Sequence, residues 1–254
     1  MNSPKTNSKL TAMREGGYKL ARILNDLLEC ARPGITLLSL EERAQKRITE
    51  SGGTPSFQMV KGYKWATCLC VNEVVVHGVP SSYALCEGDV LTVDIGLLFK
   101  GFHTDTAWTK IIRQQKEEGK EKFLKIGEKA LWKAIAQARA GNRVGNISQT
   151  IQQSIEGAGY SIVKSLVGHG VGRKLHEAPQ IPGFLTGNID DTPPLMPGMT
   201  IAIEVIYAQG DGSVVYDNDD GWSIATRDRK SSAVFEHTIA ITEAAPVILT
   251  HIEK

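Results

Sequence analysis

The 254-residue chain has little of most features that would place it in a special class. Its four cysteines, Cys30, Cys68, Cys70 and Cys86, are too sparse to form a disulfide scaffold at this length, which predicts a reduced, cytoplasmic protein. Cys68 and Cys70 stand two apart in an apolar run and would share one face of a strand, but a Cys-x-Cys pair alone is weak ground for a metal site. An excess of one charge is also missing. Twenty-nine basic residues against 28 acidic ones leave a net charge of +1, so neither nucleic acid nor an anionic membrane is an expected partner. No run reaches the roughly 18 to 20 apolar residues that cross a bilayer. Met1 to Leu10 lacks the apolar centre of a signal peptide. His-Glu-x-x-His is absent, which excludes a helix-borne zinc protease site. What remains, 41% apolar and 22% charged, is an ordinary globular composition, long enough for one large domain or two small ones.

Within that composition the chain repeats itself. Residues 1–12 read as a flexible polar tail, and Leu20, Ile23, Leu24, Leu27 and Leu28 then mark one buried face of a helix. Arg32-Pro33-Gly34 ends that helix, Ser39 with Glu42 makes a capping box for a second, and Gly52-Gly53 closes it. Ala31-Arg32-Pro33-Gly34 returns as Ala138-Arg139-Ala140-Gly141. At the same offset Ser39 falls on Asn146, Leu40 and Ile48 on Ile147 and Ile155, and Gly52 on Gly159. Strand sequences recur too: Gly88-Asp89-Val90-Leu91-Thr92-Val93-Asp94-Ile95 is echoed by Gly198-Met199-Thr200-Ile201-Ala202-Ile203-Glu204-Val205. The pattern predicts an α+β domain over 13–254, built of two similar halves of roughly 13–115 and 116–254. Antiparallel sheets would lie inside, helices outside, and corresponding acids near a pseudo-twofold axis.

Those acids stand where acids are costly. Asp94, Glu204 and Glu236 each interrupt an apolar, β-favouring run, and Asp105 lies in His103-Thr104-Asp105-Thr106. Any one of them could face solvent on a half-exposed strand. Together they are better satisfied by divalent metal, because an unpaired buried carboxylate costs several kcal/mol. His169, between Gly168 and Gly170, is either a turn residue or the imidazole ligand such a set needs; His176 and His77 are further candidates. Four carboxylates and one imidazole suit two ions of Mn, Fe, Co or Zn, able to activate a bridging water for hydrolysis.

The segments Asn72-Glu73-Val74-Val75-Val76-His77-Gly78-Val79-Pro80, Val93-Asp94-Ile95-Gly96 and Gly101-Phe102-His103-Thr104-Asp105-Thr106 resemble motifs of the type I methionine aminopeptidases. So do Gly168-His169-Gly170-Val171-Gly172-Arg173 through Pro179, and Phe235-Glu236-His237-Thr238, in the same order and spacing. The resemblance runs from about Met13 to the end. It implies the pita-bread fold and removal of the N-terminal methionine of nascent polypeptides that carry a small second residue. It also implies two divalent ions, with Asp105 and Glu236 bridging, Asp94 completing one site, and His169 with Glu204 the other. Glu204 would be the general base, His176 would hydrogen-bond the scissile carbonyl, and His77 would position the leaving amine. Tyr63, Cys68, Trp222 and Leu175 would form the methionine pocket. Asn72, Val74 and Ser232 would hold a monovalent cation, Na or K. Val60 and Leu175 depart from the family's usual aromatics while remaining apolar. The absence of a zinc-ribbon domain and of a long insertion between His169 and Glu236 points to a compact type I enzyme: a cytoplasmic monomer working near the ribosome. Two other readings stay open: an Xaa-Pro aminopeptidase-like hydrolase and a non-catalytic binding protein on the same fold.

Overall fold

The computed structural model describes residues 4–113, 117–217 and 220–251. Its helices are α1 (Asn7–Cys30), α2 (Leu37–Glu50), α3 (Glu118–Gln137) and α4 (Val144–Glu156). The strands are β1 (Thr54–Pro55), β2 (Thr67–Val71), β3 (Val74–Val76), β4 (Val90–Phe99), β5 (Phe102–Ile111), β6 (Ser161–Ile162), β7 (Val167–Gly170), β8 (Glu177–Pro182), β9 (Thr200–Ala208), β10 (Val214–Tyr216), β11 (Ile224–Thr226), β12 (Ser232–Ala240) and β13 (Val247–Ile248). A ten-stranded antiparallel sheet runs β1-β4-β5-β12-β9-β7-β8, with β2 on β4, β6 on β9 and β13 on β12; β10-β11-β3 forms a small second sheet. Among the described residues no helix is long and apolar enough to cross a membrane, and all four cysteines are free thiols.

The repeat is visible in the backbone. Gly34 and Gly141 take φ of 87° and 89°, and Gly88 and Gly198 take 90° and 84°, a left-handed conformation that glycine adopts without steric cost. Gly88 donates to Ile112 O at 2.6 Å as Gly198 does to Ile241 O at 2.9 Å; Leu37 donates to Tyr83 O at 3.0 Å as Val144 does to Pro193 O at 2.9 Å. The matched pairs Leu40/Ile147 and Ile48/Ile155 are all buried. They belong to two cores, one beneath α1–α2 and one beneath α3–α4, and Trp108 packs against both. The boundary expected at 115/116 touches residues outside those described.

Two expectations need correction. Residues 7–12 are not tail, because α1 begins at Asn7 and the preceding Lys5 amide donates to Gly198 O at 2.8 Å. The helix starts expected at Ser39 and Asn146 both come three residues too late. Thr36 is the N-cap of α2, and its hydroxyl accepts the Ser39 amide at 3.1 Å. Asn146 reaches back to accept the Arg143 amide at 2.8 Å, ahead of α4. Polar residues at the third helical position serve the same termini as caps do, so the sequence signal marks the end of a helix without fixing its first residue.

The halves meet where β5 pairs with β12. The ladder there has two registered pairs, Ala107↔Glu236 and Thr106↔His237. Threonine hydroxyls continue it on both sides. Thr238 Oγ1 donates to Asp105 O at 2.8 Å and accepts the Asp105 amide at 2.9 Å; Thr109 Oγ1 does the same with Val234 O at 2.7 Å and the Val234 amide at 3.0 Å.

Glu41, an acid the sequence did not single out, ties α2 to β2. Its buried carboxylate accepts the amides of Ala66 at 2.6 Å and Thr67 at 3.0 Å, and the Thr67 hydroxyl at 2.5 Å. Glu41→Ala strands those donors inside the protein, at a cost of about 1–3 kcal/mol. Thermal unfolding should show a midpoint lower by several degrees, at about 2–4 °C per kcal/mol for a chain of this size. An unchanged midpoint would contradict the role given to this carboxylate.

Candidate active site

The sheet register lines up the residues singled out in the sequence. Cys68 on β2 stands opposite Asp94 on β4, Asp94 opposite Ala107 on β5, Ala107 opposite Glu236 on β12, and Glu236 opposite Glu204 on β9. Asp105 lies two residues from Ala107, and His169 on β7 pairs with Ala202, two residues from Glu204. Because side chains alternate along a strand, this register sends all four acids and His169 to one face of the sheet. Ala107 and Ala202, both fully buried, fill the intervening positions.

The side chains converge. His169 Nε2 lies 3.5 Å from Glu204 Oε1 and 3.9 Å from Asp105 Oδ2. Ligand-capable atoms of Asp105, His169 and Glu236 all lie within 4.8 Å of one another. His169 Nδ1 is 2.9 Å from Gly170 O. A carbonyl only accepts, so Nδ1 carries the proton and Nε2 turns its lone pair to the acids. Asp94 Oδ1 and Glu236 Oε1 are enclosed and accept no hydrogen bond among the described residues.

The electrostatics are those of a site built for positive charge. Burial, and then repulsion from neighbouring acids, holds the carboxyls of Asp94, Glu204 and Glu236 well above the usual range. Burial pushes Asp105 up to about 7 against the Thr106 amide that favours its charged form. His169 is lowered to about 4 by burial and by nearby His176, which keeps it neutral and able to ligate. Among the described residues no lysine or arginine lines the cavity above these groups. Four carboxyls, two of them with an enclosed oxygen that accepts no hydrogen bond among the described residues, and one neutral imidazole fit divalent cations bound through oxygen and nitrogen.

That cavity has a volume of about 570 Å³. Tyr63, Cys68, Leu175, Trp222, Val60 and Phe57 form its apolar wall. The Tyr63 and Trp222 rings meet edge to face at 5.1 Å, and the Tyr63 hydroxyl donates to Thr67 O at 2.8 Å with Cys68 Sγ at 3.3 Å. Burial, followed by the charge of Asp94, raises the Cys68 thiol, so it stays protonated. Cys70 shares this cluster with Cys68, as the spacing predicts, and its sulfur accepts the Gly78 amide at 3.4 Å. Asp220 holds Trp222 by accepting its amide at 2.7 Å.

His77 and His176 both line the cavity, and the His176 ring meets His169 at 4.4 Å between centroids. His77 sits at φ 56°, next to Gly78, where a Cβ would come within 2.4 Å of Leu69 O. The turn is thus pressed onto β2 and aims the imidazole inward. Surrounding protein lowers both histidines from their ordinary value, His77 further through His176.

The expected cation residues also meet: Ser232 Oγ lies 3.1 Å from Val74 O and 3.3 Å from Asn72 O. Phe57, Val76, Leu166, Gln180 and Ile206, which line the cavity, were missed by the sequence reading. They carry no local signal, since a wall residue and a core residue look alike until the chain is folded.

Residues 11–243 match the family described as Metallopeptidase family M24. The methionine aminopeptidase of Clostridium perfringens is 42% identical, with 98% of each chain covered. Methionine aminopeptidase 1 of Bacillus subtilis is 40% identical, also over 98% of each. The crystal structure of methionine aminopeptidase from Thermotoga maritima superposes with a TM-score of 0.94 at 39% identity, covering 99% of this chain and 100% of that one. Likeness of this degree over nearly the whole length decides the question of kinship: the chain belongs to metallopeptidase family M24, with its pita-bread fold, among the methionine aminopeptidases.

Proposed function

We propose that this metallo-aminopeptidase removes the first methionine from newly made polypeptides whose second residue is small, using two divalent ions. The observation that carries this reading is the single face shared by Asp94, Asp105, His169, Glu204 and Glu236 beside an apolar cavity. Asp105 and Glu236 are assigned to both ions, Asp94 to one, and His169 with Glu204 to the other. When bound, ions of Mn, Fe, Co or Zn supply an acidified water and a Lewis acid for the peptide carbonyl. Glu204, enclosed and raised in basicity, takes the proton of the attacking water and passes it toward the leaving amine. His176 donates a hydrogen bond to the carbonyl oxygen as charge develops there. His77 holds the substrate backbone and orients the departing amine.

The wall of Tyr63, Cys68, Trp222 and Leu175 receives the thioether, a flexible group that packs well against aromatic edges. Val60 and Leu175 contribute apolar surface without an aromatic face, which weakens affinity more than selectivity. Asn72, Val74 and Ser232 offer two carbonyls and a hydroxyl to Na or K. The enzyme acts as a cytoplasmic monomer close to the ribosome, where its substrates emerge.

Stripping the protein with chelator and restoring Mn, Fe, Co or Zn singly should restore cleavage of Met-Gly peptides but not of Leu-Gly or Ala-Pro. Glu204→Ala should lower the rate by about 100-fold or more. Cleavage of Leu-Gly at the same rate would remove the pocket assignment, and preference for Ala-Pro would move the enzyme to proline-directed substrates.

The raised carboxyls also set a pH dependence. A carboxyl whose folded value lies above its unfolded one stabilises the fold at pH below the unfolded value, and that contribution is lost as pH rises through the folded value. For Asp105 the window runs from 3.8 to about 7. The stripped protein should therefore melt at progressively lower temperature from about pH 4 to about pH 7, and metal should bind with release of protons. Calorimetric titration in buffers of different ionisation enthalpy measures that release. Binding without it would mean that the acids are already charged in the stripped protein.

A further inference from the structure

Lys5 precedes the residues matched to the family, 11–243, and belongs to the segment whose sequence reads as a loose tail. In the folded chain it is nearly enclosed. Its amide donates to Gly198 O at 2.8 Å. Its ammonium lies 3.9 Å from Glu177 Oε2, with 7% of the lysine side chain and 16% of the glutamate side chain exposed. Two glycines make room for it. A Cβ on Gly172 would come within 2.7 Å of Lys5 Cε, and one on Gly198 within 3.0 Å of Lys5 N.

Glu177 is the residue after His176. Its other oxygen, Oε1, accepts the Lys174 amide at 3.0 Å. Gly172 donates to Lys174 O at 3.0 Å and accepts the His103 amide at 2.7 Å. These bonds close the turn from Gly172 to Glu177 that presents His176. One edge of the His176 ring meets His169 at 4.4 Å between centroids and the residue is otherwise exposed to the cavity, so packing alone does not fix its direction. Its direction depends on how firmly the turn is held.

We propose that Lys5 is a positioning residue for His176: the amino-terminal strap Pro4–Thr6 clamps Glu177, and Glu177 fixes the turn that aims the imidazole at the substrate carbonyl. This rests on the role given to His176 in the proposed function. Lys5→Met keeps the packed stem and removes the charge. Glu177 then loses the cation opposite Oε2, and its carboxylate is drawn to solvent, away from Lys174.

The test uses the full-length, metal-loaded enzyme as wild type, Lys5→Met, Lys5→Arg, His176→Ala and the double variant Lys5→Met/His176→Ala. Lys5→Met should lower kcat on Met-Gly peptides about 10-fold, with KM changed less than about twofold and metal content unchanged. Lys5→Arg should recover most of the rate. In the His176→Ala background, Lys5→Met should have almost no further effect. A full 10-fold loss in that background would overturn the proposal, and so would a lower melting temperature with kcat per folded enzyme unchanged. Amide hydrogen exchange across 172–177 should be faster in Lys5→Met, a readout that needs no turnover; unchanged exchange also overturns the strap. A wild type that cleaves no Met-Gly peptide with any metal would overturn the functional reading instead, and exchange would still decide the strap.

Discussion

Like charge crowded into a water-poor space is the constraint on which the rest of this structure depends. Two like charges about 4 Å apart repel by about 4 kcal/mol at the dielectric typical of a protein near its surface, and here four carboxyls face one another. The base set directly among them, His169, is an imidazole lowered to about 4, which stays neutral at the pH of a cell. Such a cluster is tolerated in a fold when its carboxyls hold their protons or when cations offset their charge. Strands, seam and cavity are all arranged to hold these groups in place despite their repulsion.

The duplicated architecture answers that demand economically. Asp94 and Glu204 occupy corresponding positions of β4 and β9, so the two halves each bring one acid to the centre. Ile112 and Ile241 make corresponding bonds to Asp89 O and Met199 O. By that correspondence Ala107 and Glu236 are equivalents, and they face each other across the β5–β12 seam. A carboxylate at such a position stands beside the pseudo-twofold axis and can reach toward both halves. Its counterpart is alanine because a second glutamate there would crowd the first. The threonines along the seam hold the strands by hydroxyl as well as by ladder, which limits how far Asp105 and Glu236 can drift apart.

Much of this was legible in the sequence for a physical reason. Acids inside β-favouring runs and glycines before paired strands are local anomalies, and each has a local cost that something distant must repay. The repeat of Ala31–Gly34 at Ala138–Gly141 was legible because matched turns need matched glycines. What stayed hidden depends on contacts between distant parts of the chain. Thr36 looked no more like a cap than Ser39 did, and only the bridge from Thr36 to Ala84 marks where the extended chain ends before α2. Glu41 looked like one more helix surface acid until the amides of Ala66 and Thr67 arrived beneath it. Lys5 looked like part of a polar tail because the space it fills belongs to Gly172 and Gly198, far along the sequence.

The site also separates chemistry from choice of substrate. The acids lie on long strands where a slip of one residue would turn a carboxylate into an apolar core, and His169 sits where β7 keeps register with β9 but shifts against β8. Most of the apolar wall is carried on turns and short segments instead: Phe57 on a single helical turn, Val60 and Tyr63 just after it, Leu175 and Trp222 on loops. Substitutions there change the shape offered to a side chain without moving a ligand. Val60 and Leu175 therefore fall where the fold tolerates variation. Cys68 is the exception, because it stands directly opposite Asp94 in the register and is held by the same ladder as the acids. A larger side chain at Cys68 would press on the acid row and on the pocket together, which makes this small, protonated thiol the point where specificity and the charged centre constrain each other.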